Sequence, residues 1–299
     1  MELSVDCLNI PSRIIAQLKD MGNCYLCDID EDVKENLGLQ NATLQKVPET
    51  KTALDVCHEE LLNGCILTYN ENLDSVLKDV IVPKSITELA GAPGSGKTQT
   101  CFQLCISVQL PVWCGGMEGE ALYVDTNSNF ASHRILDIAK DFINIYHSLR
   151  PLEYVTCTKF DETSIMHHIH YTKVYDALEL MACVKYLDKF LIGRKVRLIV
   201  IDSWSFIMRM VDVTNRKMLV SKILCNLRAL GSIHNFAVVL TNDLTTRVNK
   251  GEAYTTPSFG DSFYHLMNTR VLFSKKDDHF EANLKKNIMH GQKRKTFYL

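Results

Sequence analysis

Residues 88–101 read Glu-Leu-Ala-Gly-Ala-Pro-Gly-Ser-Gly-Lys-Thr-Gln-Thr-Cys, and their interpretation decides the fold. Gly91, Gly96, Lys97 and Thr98 satisfy the pattern G-x-x-x-x-G-K-[ST]. Ahead of the glycines, "SITELAG" has the β-rich composition of a strand, and helix-compatible sequence follows Lys97. A phosphate-binding turn needs these residue types at this spacing. Glycines let backbone N–H groups turn inward around phosphate oxygens, and the helix that follows directs its N-terminal dipole at their charge. Lysine reaches the distal phosphates, and the adjacent hydroxyl supplies an oxygen to Mg²⁺. Gly91, Ala92, Pro93, Gly94, Ser95, Gly96, Lys97, Thr98 and Gln99 are therefore the candidate nucleotide-binding run. ATP and Mg²⁺ are the expected cofactors.

Downstream, strands and helices alternate. "ALYVDT", "IHYTKV", "VRLIVIDS" and "FAVVLTND" are short, nearly continuous apolar strands. Between them lie "SHRILDIAKDFINIY", "DALELMACVKYLDKFL" and "KMLVSKILCNLRALGSIH", which have helical character. Such alternation predicts an α/β fold with a largely parallel sheet buried on both faces. Asp202 ends the run Leu198–Ile201, where a carboxylate can orient the water shell of a loop-bound Mg²⁺. Thr98 and Asp202 are the candidate metal-site pair.

Upstream, Ile10, Ile14, Ile15 and Leu18 form a helical stripe, and a second short helix is expected near Glu31–Leu37, closed by Gly38. Residues 1–42 are read as a small helical N-terminal domain, 43–51 as a linker, and 52–299 as the nucleotide-binding core. "TALDVCHEELL" is expected to be helical and "GCILTY" a β-rich run.

The 299 residues carry a formal charge of −2, so overall electrostatics do not drive the chain onto DNA or anionic membrane. Eleven cysteines without a disulfide-like pattern or an apolar leader suggest a soluble intracellular protein, and no apolar run approaches membrane-spanning length. "CYLC" at 24–27 has zinc-like spacing without a second pair, and "HHIHY" at 167–171 places His168 and His170 on one face if it is a strand. Lys293, Arg294 and Lys295 read either as a nuclear import signal or as a solvated basic tail.

A wider set of residues resembles the RecA-like strand-exchange ATPases of the eukaryotic recombinase branch, nearest to the C-type recombinase paralogues. The stretches are "TALDV", "GCILTYNENLDSVL", "GAPGSGKTQ", "VQLPVWCGGMEGEALYVDT", "FASHRILDIA", "VRLIVIDS", "FAVVLTNDLTTR" and "NTRVLF". The resemblance implies a RecA-like core with nucleotide at the carboxyl ends of its strands. It also implies homologous recombination, DNA double-strand break repair and meiotic recombination as the setting. Implied partners are other recombinase paralogues, the main strand-exchange recombinase, and single-stranded or branched DNA bound within a complex. The implied location is nuclear, with a cytoplasmic pool.

By the same resemblance Arg134 falls beside the adenine. Two DNA-facing loops are implied, Phe206–Lys217 with Arg209, Arg216 and Lys217, and Leu244–Phe259 with Arg247 and Lys250. Two catalytic positions depart from the pattern. Asn127 stands where the relatives carry the glutamate that activates water, and Asp243 where they carry a glutamine that senses the terminal phosphate. An amide holds water but accepts no proton at neutral pH. Either hydrolysis has decayed, or the acidic group has moved from 127 to 243. The rival to a nucleotide-switched subunit is a DNA-dependent ATPase that forms its own strand-exchange filament. A P-loop kinase is disfavoured, because no arginine-bearing lid lies between the two nucleotide motifs.

Overall fold

The computed structural model describes residues 4–39, 50–149, 160–249, 252–288 and 290–298. The chain divides into two units, Met1–Glu59 and Glu60–Leu299.

In the first unit, α1 (Ser12–Asp20) begins behind Pro11 and α2 (Glu31–Asn36) is capped by Asp30, whose side chain accepts from the Val33 N–H. Gly22 and Gly38 follow the helices in left-handed conformation, as the stop signals predict. Val5, Leu8, Leu18, Ile29 and Leu39 form a small core. Most of the predicted linker lies outside the described residues. The helix α3 (Ala53–Asn63) crosses the division between units.

The second unit continues with α4 (Glu71–Leu77), β1 (Ile86–Gly91), α5 (Lys97–Ser107), β2 (Glu120–Asp125), α6 (Ser132–Leu149), α7 (Glu162–His167) and β3 (Ile169–Lys173). Then come α8 (Ala177–Leu191), β4 (Val196–Asp202), α9 (Trp204–Met210), α10 (Val213–His234), β5 (Ala237–Asn242), β6 (Leu244–Asn249) and β7 (Glu252–Pro257). The last elements are α11 (Gly260–Leu266), β8 (Thr269–Lys275), β9 (Phe280–Lys286) and β10 (Lys293–Phe297). Among the described residues one sheet has eight strands in the order β10-β9-β8-β1-β5-β4-β2-β3. The six strands from β8 to β3 are parallel, and β9 and β10 close one edge antiparallel. This is the α/β, RecA-like core that the sequence predicts.

Both faces of the sheet are covered, which explains the unbroken apolar strands. Along β4, Leu198 and Val200 enter the core on one face, while Ile199 and Ile201 enter the core on the other. Along β5, Ala237 and Val239 alternate in the same way with Val238 and Leu240. Among the described residues no helix is long and apolar enough to cross a membrane.

Four local expectations are corrected. "GCILTY" is not a paired strand: it lies outside the sheet, with Ile66 N–H donating to Ile81 O at 2.9 Å. The segment 206–217 is mostly helical, because Ser203 caps α9 by accepting from the Phe206 N–H and α10 starts at Val213. The segment 244–259 is largely the antiparallel hairpin β6–β7. The basic C-terminus is a strand rather than a free tail: β10 pairs with β9, Arg294 bonds both Glu281 oxygens at 2.8 Å, and Phe297 is buried.

Candidate nucleotide site

The loop between β1 and α5 is shaped by positions where a side chain has no room or the wrong handedness. A Cβ on Gly91 would lie 2.5 Å from Ser95 Oγ and 2.6 Å from Phe273 O. Gly96 caps α5 at φ +94°, in the left-handed region that favours glycine. Within the turn Ser95 N–H donates to Ala92 O at 3.2 Å, while the buried Ser95 Oγ has no partner. Lys97 is almost fully buried and donates to Gly91 O at 2.7 Å and Ala92 O at 3.1 Å. An ammonium folded into a glycine turn at a helix N-terminus, beside an unsatisfied hydroxyl, fits a phosphate group.

Asp202, at the end of β4, is the centre of the second half of the site. Its Oδ2 accepts from Thr98 Oγ1 at 2.7 Å and from Tyr123 OH at 2.6 Å. Its Oδ1 accepts from Thr241 Oγ1 at 2.6 Å. Burial, reinforced by the Asp202 charge, pushes the Tyr123 hydroxyl far up, so Tyr123 stays a donor. Thr98 and Asp202, which the sequence places 104 residues apart, thus meet directly. They are the residues that would hold Mg²⁺, an ion suited to a hydroxyl and a carboxylate.

Asp243 follows β5, and its Oδ1 stands 3.3 Å from Lys97 Nζ. Its Oδ2 accepts from Ser205 Oγ at 2.8 Å and lies 3.9 Å from Arg209 Nη1. Asn127 follows β2 and is exposed; its N–H donates to Asp125 Oδ1 at 3.1 Å. Thr126, one residue before it, exchanges hydrogen bonds with Ser203 beyond Asp202. Arg134, on α6, donates from Nε to Gln99 Oε1 at 2.7 Å, joining two residues of the predicted nucleotide set.

Two of the DNA candidates, Arg209 and Arg216, are engaged within the chain. Arg209 donates to Ser258 Oγ at 2.9 Å and Leu244 O at 3.4 Å, at the root of the hairpin. Arg216 donates to Val211 O at 2.7 Å and lies over the Phe259 ring at 5.6 Å. Lys217 and Arg247 are exposed, and Lys250 lies outside the described residues. The two histidines do not share a strand: His168 caps α7, while His170 meets Glu120 Oε2 at 2.6 Å.

Sequence reasoning missed Tyr123, Thr241 and Ser205. The signal was present for two of them, since Tyr123 and Thr241 are polar interruptions in otherwise apolar strands flanking β4.

Residues 60–280 match the Rad51 family model. The chain is 34% identical over 230 residues to DNA repair protein RAD51 homolog 3 of Cricetulus griseus, covering 74% of this chain and 63% of that protein. It is 31% identical over 226 residues to DNA repair protein RAD51 homolog 3 of Dictyostelium discoideum, covering 73% of this chain and 59% of that protein. It is also 32% identical over 231 residues to DNA repair and recombination protein RadA of Aeropyrum pernix, covering 73% of this chain and 67% of that protein. The chain thus spans less than two thirds of the length of either RAD51 homolog 3.

Proposed function

The chain belongs to the Rad51 family, and on that premise we propose that it is a nucleotide-switched recombinase paralogue acting in homologous recombination and DNA double-strand break repair, meiotic recombination included. It binds ATP through Gly91–Gln99 and Arg134, with Mg²⁺ held by Thr98 and Asp202. It works in the nucleus as a subunit of a paralogue complex that assists the main strand-exchange recombinase. DNA is engaged weakly, through Arg209, Arg216, Lys217, Arg247 and Lys250, and within that complex. Residues 1–42 form the helical N-terminal domain, 43–51 the linker and 52–299 the ATP-binding core.

The observation that carries this reading is that Thr98 bonds Asp202 at the end of β4 while Lys97 folds into the glycine turn after β1, with asparagine at 127, the position the resemblance gives to a water-activating glutamate. On this reading the binding groups are assembled while the general base is absent, and loss of such a base commonly costs ~10²–10⁴-fold in rate. Asp243 supports decay over relocation, since its two oxygens are engaged by Lys97 and Ser205.

Nucleotide affinity compared with ATP turnover, with and without single-stranded DNA, tests the proposal. Measurable ATP affinity with negligible turnover is expected, and robust DNA-stimulated turnover overturns it. If wild-type turnover is measurable and Asp243→Asn abolishes it, the carboxylate has been relocated instead. Affinity capture from nuclear extract should recover recombinase paralogues.

A further inference from the structure

We infer that Asp243 sets the nucleotide preference of the site, weighting it against a third phosphate and toward a nucleoside diphosphate. The inference rests on the reading of Gly91–Thr98 as the phosphate-binding loop. A lysine at position 97 of such a loop serves the phosphates furthest from the base. Here the Lys97 side chain is only 8% exposed, and Asp243 Oδ1 already stands 3.3 Å from its ammonium. The carboxylate is anchored: Oδ2 accepts from Ser205 Oγ at 2.8 Å, and Ser205 Oγ accepts the backbone N–H of Asp243 at 3.2 Å. Arg209 is the second cation, 3.9 Å from Oδ2, but it is half-exposed and bonded to Leu244 O and Ser258 Oγ.

Lys97 therefore has an internal anionic partner. A third phosphate adds negative charge beside the same ammonium, and it must share or displace Asp243. A diphosphate brings one anionic group fewer to that point. Repulsion between like charges a few ångström apart in a partly buried site is large enough to change affinity about tenfold. Arg209 offsets part of that repulsion, so the two residues act on nucleotide preference with opposite sign.

Titration calorimetry of ADP and of ATP, each with excess Mg²⁺, against the full chain tests this. Asp243→Asn should raise ATP affinity about tenfold or more while changing ADP affinity much less. Arg209→Gln should move the ATP-to-ADP affinity ratio the other way. Asp243→Gln replaces the asparagine variant if that one fails to fold. If wild type binds both nucleotides and its ratio is unchanged by loss of the 243 carboxylate, the inference fails and the nucleotide site stands. The inference also fails if both variants shift the ratio in the same direction. If wild type binds neither nucleotide, the site reading fails as well.

Discussion

A methyl group at position 91 would meet Ser95 Oγ at 2.5 Å and the backbone oxygen of Phe273 at 2.6 Å. Phe273 lies on β8, paired with Gly91 in the sheet, so the oxygen cannot retreat without disturbing that ladder. Gly91→Ala is expected to destabilise the core by about 1–3 kcal/mol, the usual cost of overpacking. It should weaken nucleotide binding as well, because the displaced Ser95 lies within the turn. Urea unfolding and nucleotide titration of the same variant check the two effects. The glycine was readable from the loop pattern. The obstacle opposite it was not, because Phe273 is 182 residues away in sequence from Gly91 by pairing that only the sheet creates.

Between elements, a buried polar contact joins β1, β5 and β8 away from the candidate nucleotide site. Glu88 on β1 is fully buried; its Oε2 accepts from Arg270 Nε on β8, and its Oε1 accepts from Asn242 Nδ2 at 2.6 Å. Burial holds the Glu88 carboxyl above its ordinary value of 4.5, although the Arg270 charge pulls it down. A raised carboxyl contributes most to stability below that ordinary value, and the contribution falls as pH rises through the raised one. Removing the guanidinium raises the carboxyl further. Arg270→Met should therefore cost about 3–5 kcal/mol near neutral pH, as for a broken buried pair, and the deficit should shrink on acidification. Denaturant midpoints of both proteins across pH 5–8 measure the difference; a pH-independent deficit refutes the explanation. Strand alternation made the sheet legible in the sequence. The helix in 206–217 and the hairpin in 244–257 were obscured by their placement at the expected DNA loops, although Ser203 offered a capping signal for the helix.

At the scale of the molecule, the C-terminal strand closes the core of the second unit. Phe297 is buried with its ring centroid 5.7 Å from Phe273 and 5.8 Å from Phe280. One residue on, Tyr298 O accepts from Asn70 Nδ2 at 2.8 Å, and Asn70 is the cap of α4. The end of this unit is thereby tied to its beginning. Phe297→Ala should lose about 3–5 kcal/mol of stability by opening a cavity there, visible as a lowered thermal and denaturant midpoint. A basic tail free in solvent would leave both midpoints unchanged.

Local chemistry carried far. The glycine spacing, the apolar runs and Asp202 at a strand end led from the sequence by itself to the α/β core and to Lys97, Thr98 and Asp202 as its candidate phosphate and metal groups. These properties are written in neighbouring residues, because backbone handedness, strand burial and helix initiation depend on short stretches. Only the tertiary structure decided what each carboxylate faces. Asp243 meets Lys97 and Ser205, Glu88 meets Arg270, and three hydroxyls from three different elements converge on Asp202. Those pairings arise from strand order and register, which bring distant residues within hydrogen-bond range, and electrostatic energy depends on that separation and burial rather than on distance along the chain.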